Sequence, residues 1–275
     1  MRITRKDLKR ELGEINLTIQ GAVVQTAPFK RKGIERRKRG MFTRMMVQGI
    51  LIVIYTLEFA GLLVAALPKY KKKYYVPVKM MCSVSFVVIA AIFAYVSGHT
   101  RYFFMMLVPL LFCAAGDLYM GFYQIASKKK HMLIGMILFL LAHMGFLISF
   151  FRIDATVTWW NIFLPIVAVI VFFTVKKLSH LHMGRLTIPA SIYCVFLSLM
   201  LSKSTQYMVL YPGLASGWLG LGGMLFFTSD FTIIFLYFYK FHKPESRRRI
   251  HCINLATYYF GILAFDISIL YFAGM

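Results

Sequence analysis

Apolar runs long enough to cross a bilayer as helix recur along this chain, and no other feature constrains its fold more. They lie at about residues 45–67, 78–97, 102–123, 132–151, 159–175, 187–202, 217–239 and 252–273. About 20 consecutive apolar residues span the hydrocarbon as helix. In lipid every backbone polar group must be satisfied within the protein, which leaves helices or closed barrels. These runs are too long and too uniformly apolar for the in–out alternation of barrel strands. The expected class is therefore all-α, a polytopic membrane protein whose residues 45–275 form a bundle of about eight transmembrane helices. The charge content agrees: 15% of the residues are charged, against about 25% in an average soluble domain. Pro109 and Pro165 fall inside runs and are expected to kink them. No internal repeat stands out, so the inverted-repeat signature of many transporters is missing.

The formal net charge is +22. A nucleic-acid footprint needs a folded basic face, whereas the cations here cluster between apolar runs. Membrane topology explains them better, and the bilayer, not nucleic acid, is the expected partner. The odd-numbered gaps hold Lys69, Lys71, Lys72, Lys73 and Lys79, then Lys128, Lys129 and Lys130, then Lys176, Lys177 and Arg185, then Lys240, Lys243, Arg247, Arg248 and Arg249. The even gaps hold only Arg101, Arg152 and Lys203. The odd gaps are thus expected on the cytoplasmic side, which with eight spans puts both termini outside. Residues 1–44 conflict with that, because they are strongly basic and should stay inside. Either translation starts at Met41, Met45 or Met46, or one span is misassigned; the first is favoured. The segment lacks the continuous apolar core of a signal peptide. It is expected to be disordered or loosely held at the membrane surface.

Cys82, Cys113, Cys194 and Cys252 are widely spaced, with no C-x-x-C pair, and read as small packing residues. His180 and His182 lie in a basic loop without the H-E-x-x-H spacing, so no metal site is indicated.

The informative residues are the ionisable ones inside spans. Each costs about 2.5–3.5 kcal/mol on insertion scales and so tends to face the bundle interior. They are Glu58, Asp117, Asp230 and Asp266, with His143. Glu58 lies eleven residues before Lys69, Asp117 eleven before Lys128, and Asp230 ten before Lys240. At 1.5 Å per residue all three sit about 15–17 Å from the basic edge. His143, thirteen residues past Lys130 on a span running the other way, is about 20 Å deep. These four share a layer near mid-membrane, while Asp266 lies nearer the far face. Two neighbouring carboxylates split their proton affinities, which supplies an acid and a base in one site. A lone carboxylate also serves as interhelical glue, the competing reading for Glu58, and His143 fits a hydrogen-bonding partner. Lys79 opens the second span and is placed to snorkel toward phosphate. In "GWLGLGGMLFFTSD", Gly217, Gly220 and Gly223 permit close helix approach, and Ser229 is positioned to hydrogen-bond Asp230.

The ordered blocks resemble the YhhN family of membrane lysoplasmalogenases. "GDLYM" is similar to the family's Gly-Asp element through Gly116 and Asp117. Gly135, Phe139 and His143 resemble its G-x-x-x-F-x-x-x-H block. Gly223, Phe226, Ser229 and Asp230 resemble its second element, Tyr258 and Tyr259 its final Tyr-Tyr block, and Lys79 a lysine near the start of the second span. The likeness covers about residues 45–273, with Phe146, Ile262 and Met80 departing from the pattern. The resemblance implies an ether hydrolase whose partner is a lysophospholipid. It would cleave the vinyl-ether bond of a lysoplasmalogen to a fatty aldehyde and a glycerophospho-alcohol. Asp117 and Asp230 would be the catalytic pair, supported by His143, Lys79, Ser229, Glu58, Tyr258 and Tyr259, and no metal or organic cofactor is required. Two other readings stay open: a small transporter using the aspartates as a relay, and an inactive lipid-binding relative.

Overall fold

The computed structural model describes residues 40, 42–181 and 183–272, Arg185 by its backbone alone. The proposals for residues 1–39 and Met41, and His182, lie outside the described residues. Contacts divide the chain into a unit ending at Gly49 and a second running from Ile50.

Eight helices are long and apolar enough to cross a membrane, and no strand occurs among the described residues. They are α1 (Phe42–Ala65), α2 (Pro68–Ser97), α3 (Thr100–Ala126), α4 (Lys129–Ile153), α5 (Trp160–Leu178), α6 (Thr187–Leu210), α7 (Leu214–Phe238) and α8 (Pro244–Tyr271). Proline opens α2 and α8, where its missing N–H is no loss. Gly98 ends α2 in the left-handed conformation (φ 77°) and returns its N–H to Ala94, a turn that favours glycine.

Two boundaries correct the sequence reading. Helix α2 starts ten residues before the apolar run, so Lys69, Lys71, Lys72 and Lys73 occupy its first turns rather than a loop. Helix α6 continues to Leu210, so Lys203 is inside it and buried, not a gap charge. Its amine reaches Asp154 Oδ2 at 3.2 Å and the Thr156 carbonyl at 2.5 Å. Gln206 joins the same carboxylate. A residue that hydropathy assigned to the surface is thus half of a buried ion pair just beyond α4.

Packing runs α2–α3–α4–α6–α7–α8 and returns to α2, with α5 outside against α6. Helix α1 lies on α8 through Phe59 against Tyr259 and Phe260. The most apolar window of α8 is 78% buried, against 17% for α1 and 22% for α5. That contrast makes α8 the central helix and α1 and α5 the outer ones. Aromatic contacts from α4 onto α8 (Phe139 to Tyr258, Phe146 to Phe265) carry α8 toward the axis. Close crossings use glycine. Gly116 and Gly135 meet Phe139 and Met120 between α3 and α4, Gly220 and Gly223 face Met208 and Ser204 of α6, and Gly222 faces Phe265. Gly217, expected at a crossing, has open space around it. Among the cysteines, Cys82, Cys113 and Cys194 are buried and all four are free.

Candidate active site

Asp117 and Asp230 are both buried, and both line one polar chamber of about 30 Å³. That is room for about one or two waters. The chamber is bounded by α2, α3, α4, α7 and α8, with Lys79, Tyr75, Phe139, Tyr258 and His251 among its walls.

Asp117 sits in a cradle of donors. Its Oδ1 is ion-paired with Lys79, one span earlier. Its Oδ2 accepts from Ser83 at 2.7 Å, Tyr258 at 2.8 Å and Tyr259 at 3.4 Å. Lys79 also lies 3.3 Å from the Tyr259 hydroxyl. The local sequence explains the cradle: Lys79 and Ser83 are one turn apart on α2, and Tyr258 and Tyr259 are adjacent on the central helix. The expectation that Lys79 snorkels to phosphate is therefore corrected. A carboxylate on the neighbouring helix holds it inside, because a buried ammonium needs a counter-charge.

Asp230 has a different set of partners. His143 Nε2 lies 2.8 Å from its Oδ2, and the Tyr193 hydroxyl donates to the same oxygen at 2.5 Å. No hydrogen bond to Oδ1 occurs among the described residues. His143 packs edge-on against Phe226 and Tyr193, and its Nδ1 has no hydrogen-bond partner among the described residues.

Asp230 also lines a second, apolar cavity of about 280 Å³ between α3, α4, α5, α6 and α7. Leu164, Val167, Val171, Leu197, Leu201 and Phe231 are among its walls. Four residues, Met120, Phe139, Asp230 and Ile233, belong to both cavities. A carboxylate therefore stands where an apolar channel meets a polar chamber.

Each carboxylate has its own hydrogen-bond partners, and Lys79 compensates Asp117. Two further site expectations need correction. The Ser229 hydroxyl does not support Asp230. It donates across to the Asn254 carbonyl at 3.1 Å, and Asn254 Nδ2 returns bonds of 2.9 Å to the Ser229 carbonyl and hydroxyl. Ser229 and Asn254 thus bolt α7 to α8 directly behind Asp230. Glu58, expected in the same layer, stands on the outer helix α1, lines neither cavity, and leaves Oε2 without a partner among the described residues. Depth placed it in the layer; its helix placed it outside.

Two important side chains escaped the sequence reading. Ser83 had a usable signal, standing four residues after Lys79. Tyr193 sits in the least apolar span with no charged neighbour to mark it. Among the described residues, no group of three or more His, Cys, Asp and Glu side chains converges as a metal would require.

These features define a multi-pass helical membrane protein with a buried acidic site between a polar chamber and an apolar cavity. The model of the YhhN family matches residues 74–269, and the chain belongs to that family. No curated protein and no solved structure matches the chain.

Proposed function

We propose that the protein is a membrane hydrolase of the lysoplasmalogenase type, cleaving the vinyl-ether bond of a lysophospholipid. One observation carries the reading: Asp230 is shared between a cavity suited to an alkyl chain and a chamber suited to water. An enol ether R–O–CH=CH–R′ needs just this juxtaposition. Family membership supports hydrolase chemistry without defining the substrate.

The reaction begins with a proton on Asp230 Oδ1, which, unlike Oδ2, has no hydrogen bond among the described residues. It passes to the outer vinyl carbon, whose π electrons form the new C–H bond, leaving an oxocarbenium ion. Donors from Tyr193 and His143 stabilise the Asp230 carboxylate that results. Asp117, its charge balanced by Lys79 and its position fixed by Ser83 and Tyr258, lines the same chamber and orients the water there. Chamber water then adds to the cationic carbon and gives its proton to Asp230, forming a hemiacetal. The hemiacetal then collapses: Asp230 gives its proton to the departing glycerol oxygen as the C–O bond breaks and takes the proton of the hemiacetal hydroxyl, so an alcohol and an aldehyde leave and Asp230 ends protonated as it began. The sum is one water consumed per ether bond cleaved, with no net oxidation or reduction.

The test is aldehyde release by protein purified in detergent, with choline and ethanolamine lysoplasmalogens as substrates. Hydrolysis needs no sealed compartment, which separates it from transport. Asp230→Asn should abolish release in a protein that remains folded; Asp117→Asn, which strands the Lys79 charge, should abolish it in a less stable one, and the pair Lys79→Met/Asp117→Asn controls for that loss. Turnover that survives both substitutions would remove the acid–base assignment.

A further inference from the structure

Beyond Gln124 and His251 the polar chamber adjoins a third cavity, of about 470 Å³, at the basic edge of the bundle. Both residues line chamber and cavity alike, so they form the partition between the two. Lys71, Arg247 and Arg248 line the outer cavity, together with one carboxylate, Glu245. Among the described residues neither arginine nor Glu245 is in an ion pair. Lys71, half-buried, donates at 2.8 Å to the Gln124 carbonyl oxygen, and the Gln124 amide donates at 2.8 Å to the Tyr237 hydroxyl. The lysine is thus spent on a neutral amide, from which an anion displaces it without breaking an ion pair.

We propose that this vestibule is a head-group site that binds a phosphodiester through Lys71, Arg247 and Arg248 and sets Glu245 beside its ammonium group. This deepens the hydrolase reading and rests on it for the identity of the lipid. The distances suit a glycerol linker. Gln124 stands seven residues from Asp117 on α3, and His251 seven from Tyr258 on α8. Each interval is about 10 Å along the axis. A phosphate at the partition therefore points its glycerol toward the carboxylates and its chain toward the apolar cavity; the chamber of about 30 Å³ admits the glycerol only once Gln124 has moved from Lys71 and Tyr237. Three cations against one carboxylate match an anionic phosphodiester whose head group carries one ammonium better than a neutral glyceride. Arginine suits the anion because its planar fork takes two oxygens at once.

Binding is measured on the full-length protein in detergent with a saturated 1-O-alkyl-glycerophosphoethanolamine, which has no vinyl bond to cleave. The comparison ligand is the matching alkylglycerol, which lacks phosphate. The wild type should bind the phospholipid at least about tenfold more tightly. The double substitution Arg247→Gln/Arg248→Gln should remove that advantage and leave alkylglycerol binding in place. Lys128→Gln/Lys129→Gln takes the same charge from the same edge but away from the vestibule, and should keep the advantage. Glu245→Gln should lower the preference for the ethanolamine lipid over the corresponding phosphate monoester.

A preference that survives Arg247→Gln/Arg248→Gln, or that falls equally in the Lys128/Lys129 variant, overturns the site. Inorganic phosphate competing as well as the lipid would assign the vestibule to free phosphate and overturn the head-group claim. Aldehyde release from lysoplasmalogen, run in parallel, separates the two readings. Binding without cleavage removes the hydrolase and leaves the vestibule. Cleavage with KM unchanged in the arginine variant removes the vestibule and leaves the hydrolase.

Discussion

Lys79 and Asp117 form an ion pair between α2 and α3 with both side chains more than nine-tenths buried. Removing one partner of such a pair costs about 3–5 kcal/mol, because the other charge is left in the bundle alone. Lys79→Met should therefore lower thermal stability markedly and abolish turnover. The double variant Lys79→Met/Asp117→Asn should recover much of the stability and none of the activity. Melting curves and aldehyde release read on the same preparations check both parts.

Tyr193 holds the proposed acid by a single short hydrogen bond. Tyr193→Phe should reduce kcat by up to about a hundredfold with KM little changed, since the donor acts on charge that develops at Asp230. The stability loss should be only about 1 kcal/mol. His143→Gln keeps a donor near Asp230 and should fall less than His143→Leu. Equal loss in the two histidine variants would make its role one of packing.

The apolar cavity gives a prediction about chain length. Ala168 lines it from α5. Ala168→Phe should raise KM for long-chain substrates while short-chain substrates keep wild-type turnover. KM values measured along a chain-length series would reveal the crossover.

Gly222 brings α7 against α8 behind the site. A Cβ there would lie 2.5 Å from the Phe265 ring and 3.0 Å from the Gly261 carbonyl oxygen. Gly222→Ala should destabilise by about 1–3 kcal/mol through overpacking. Gly217→Ala, with nothing within 4 Å of the added carbon, should be neutral or stabilising, because alanine is the better helix former. Denaturation of the two variants side by side tests whether this crossing is as close as described.

Lys203 and Asp154 form the second buried pair, at the other end of the bundle. Burial raises the proton affinity of Asp154, but hydrogen bonds from Thr156 and Lys203 and the lysine charge outweigh it, holding the carboxyl below the usual range. A lowered value stabilises the fold above the ordinary carboxylate range, and that stabilisation disappears as pH falls through the lowered value. Lys203→Met should therefore cost stability at neutral pH and less at strongly acid pH. Unfolding curves across that range would show the difference narrowing.

The spans could be read from the chain because lipid permits so few backbone solutions. Eight apolar runs became eight helices, and the family resemblance was matched over residues 74–269. Carboxylates were legible for a related reason. Asp117 and Asp230 stand out in sequence because an ionised group in hydrocarbon is costly and therefore rare.

What each of them touches was decided by packing. Counting residues from a basic edge gives depth, a single coordinate, and it ranked Glu58 beside Asp117 although α1 lies outside the site. Azimuth around each helix, and which helix stands next to which, depend on how all the side chains interlock. Those relations set Lys79 on Asp117, brought Tyr193 from α6 to Asp230 and turned Ser229 toward Asn254. Hydropathy along one strand of sequence is fixed before folding; the neighbours of a buried charge exist only once the other helices have closed around it.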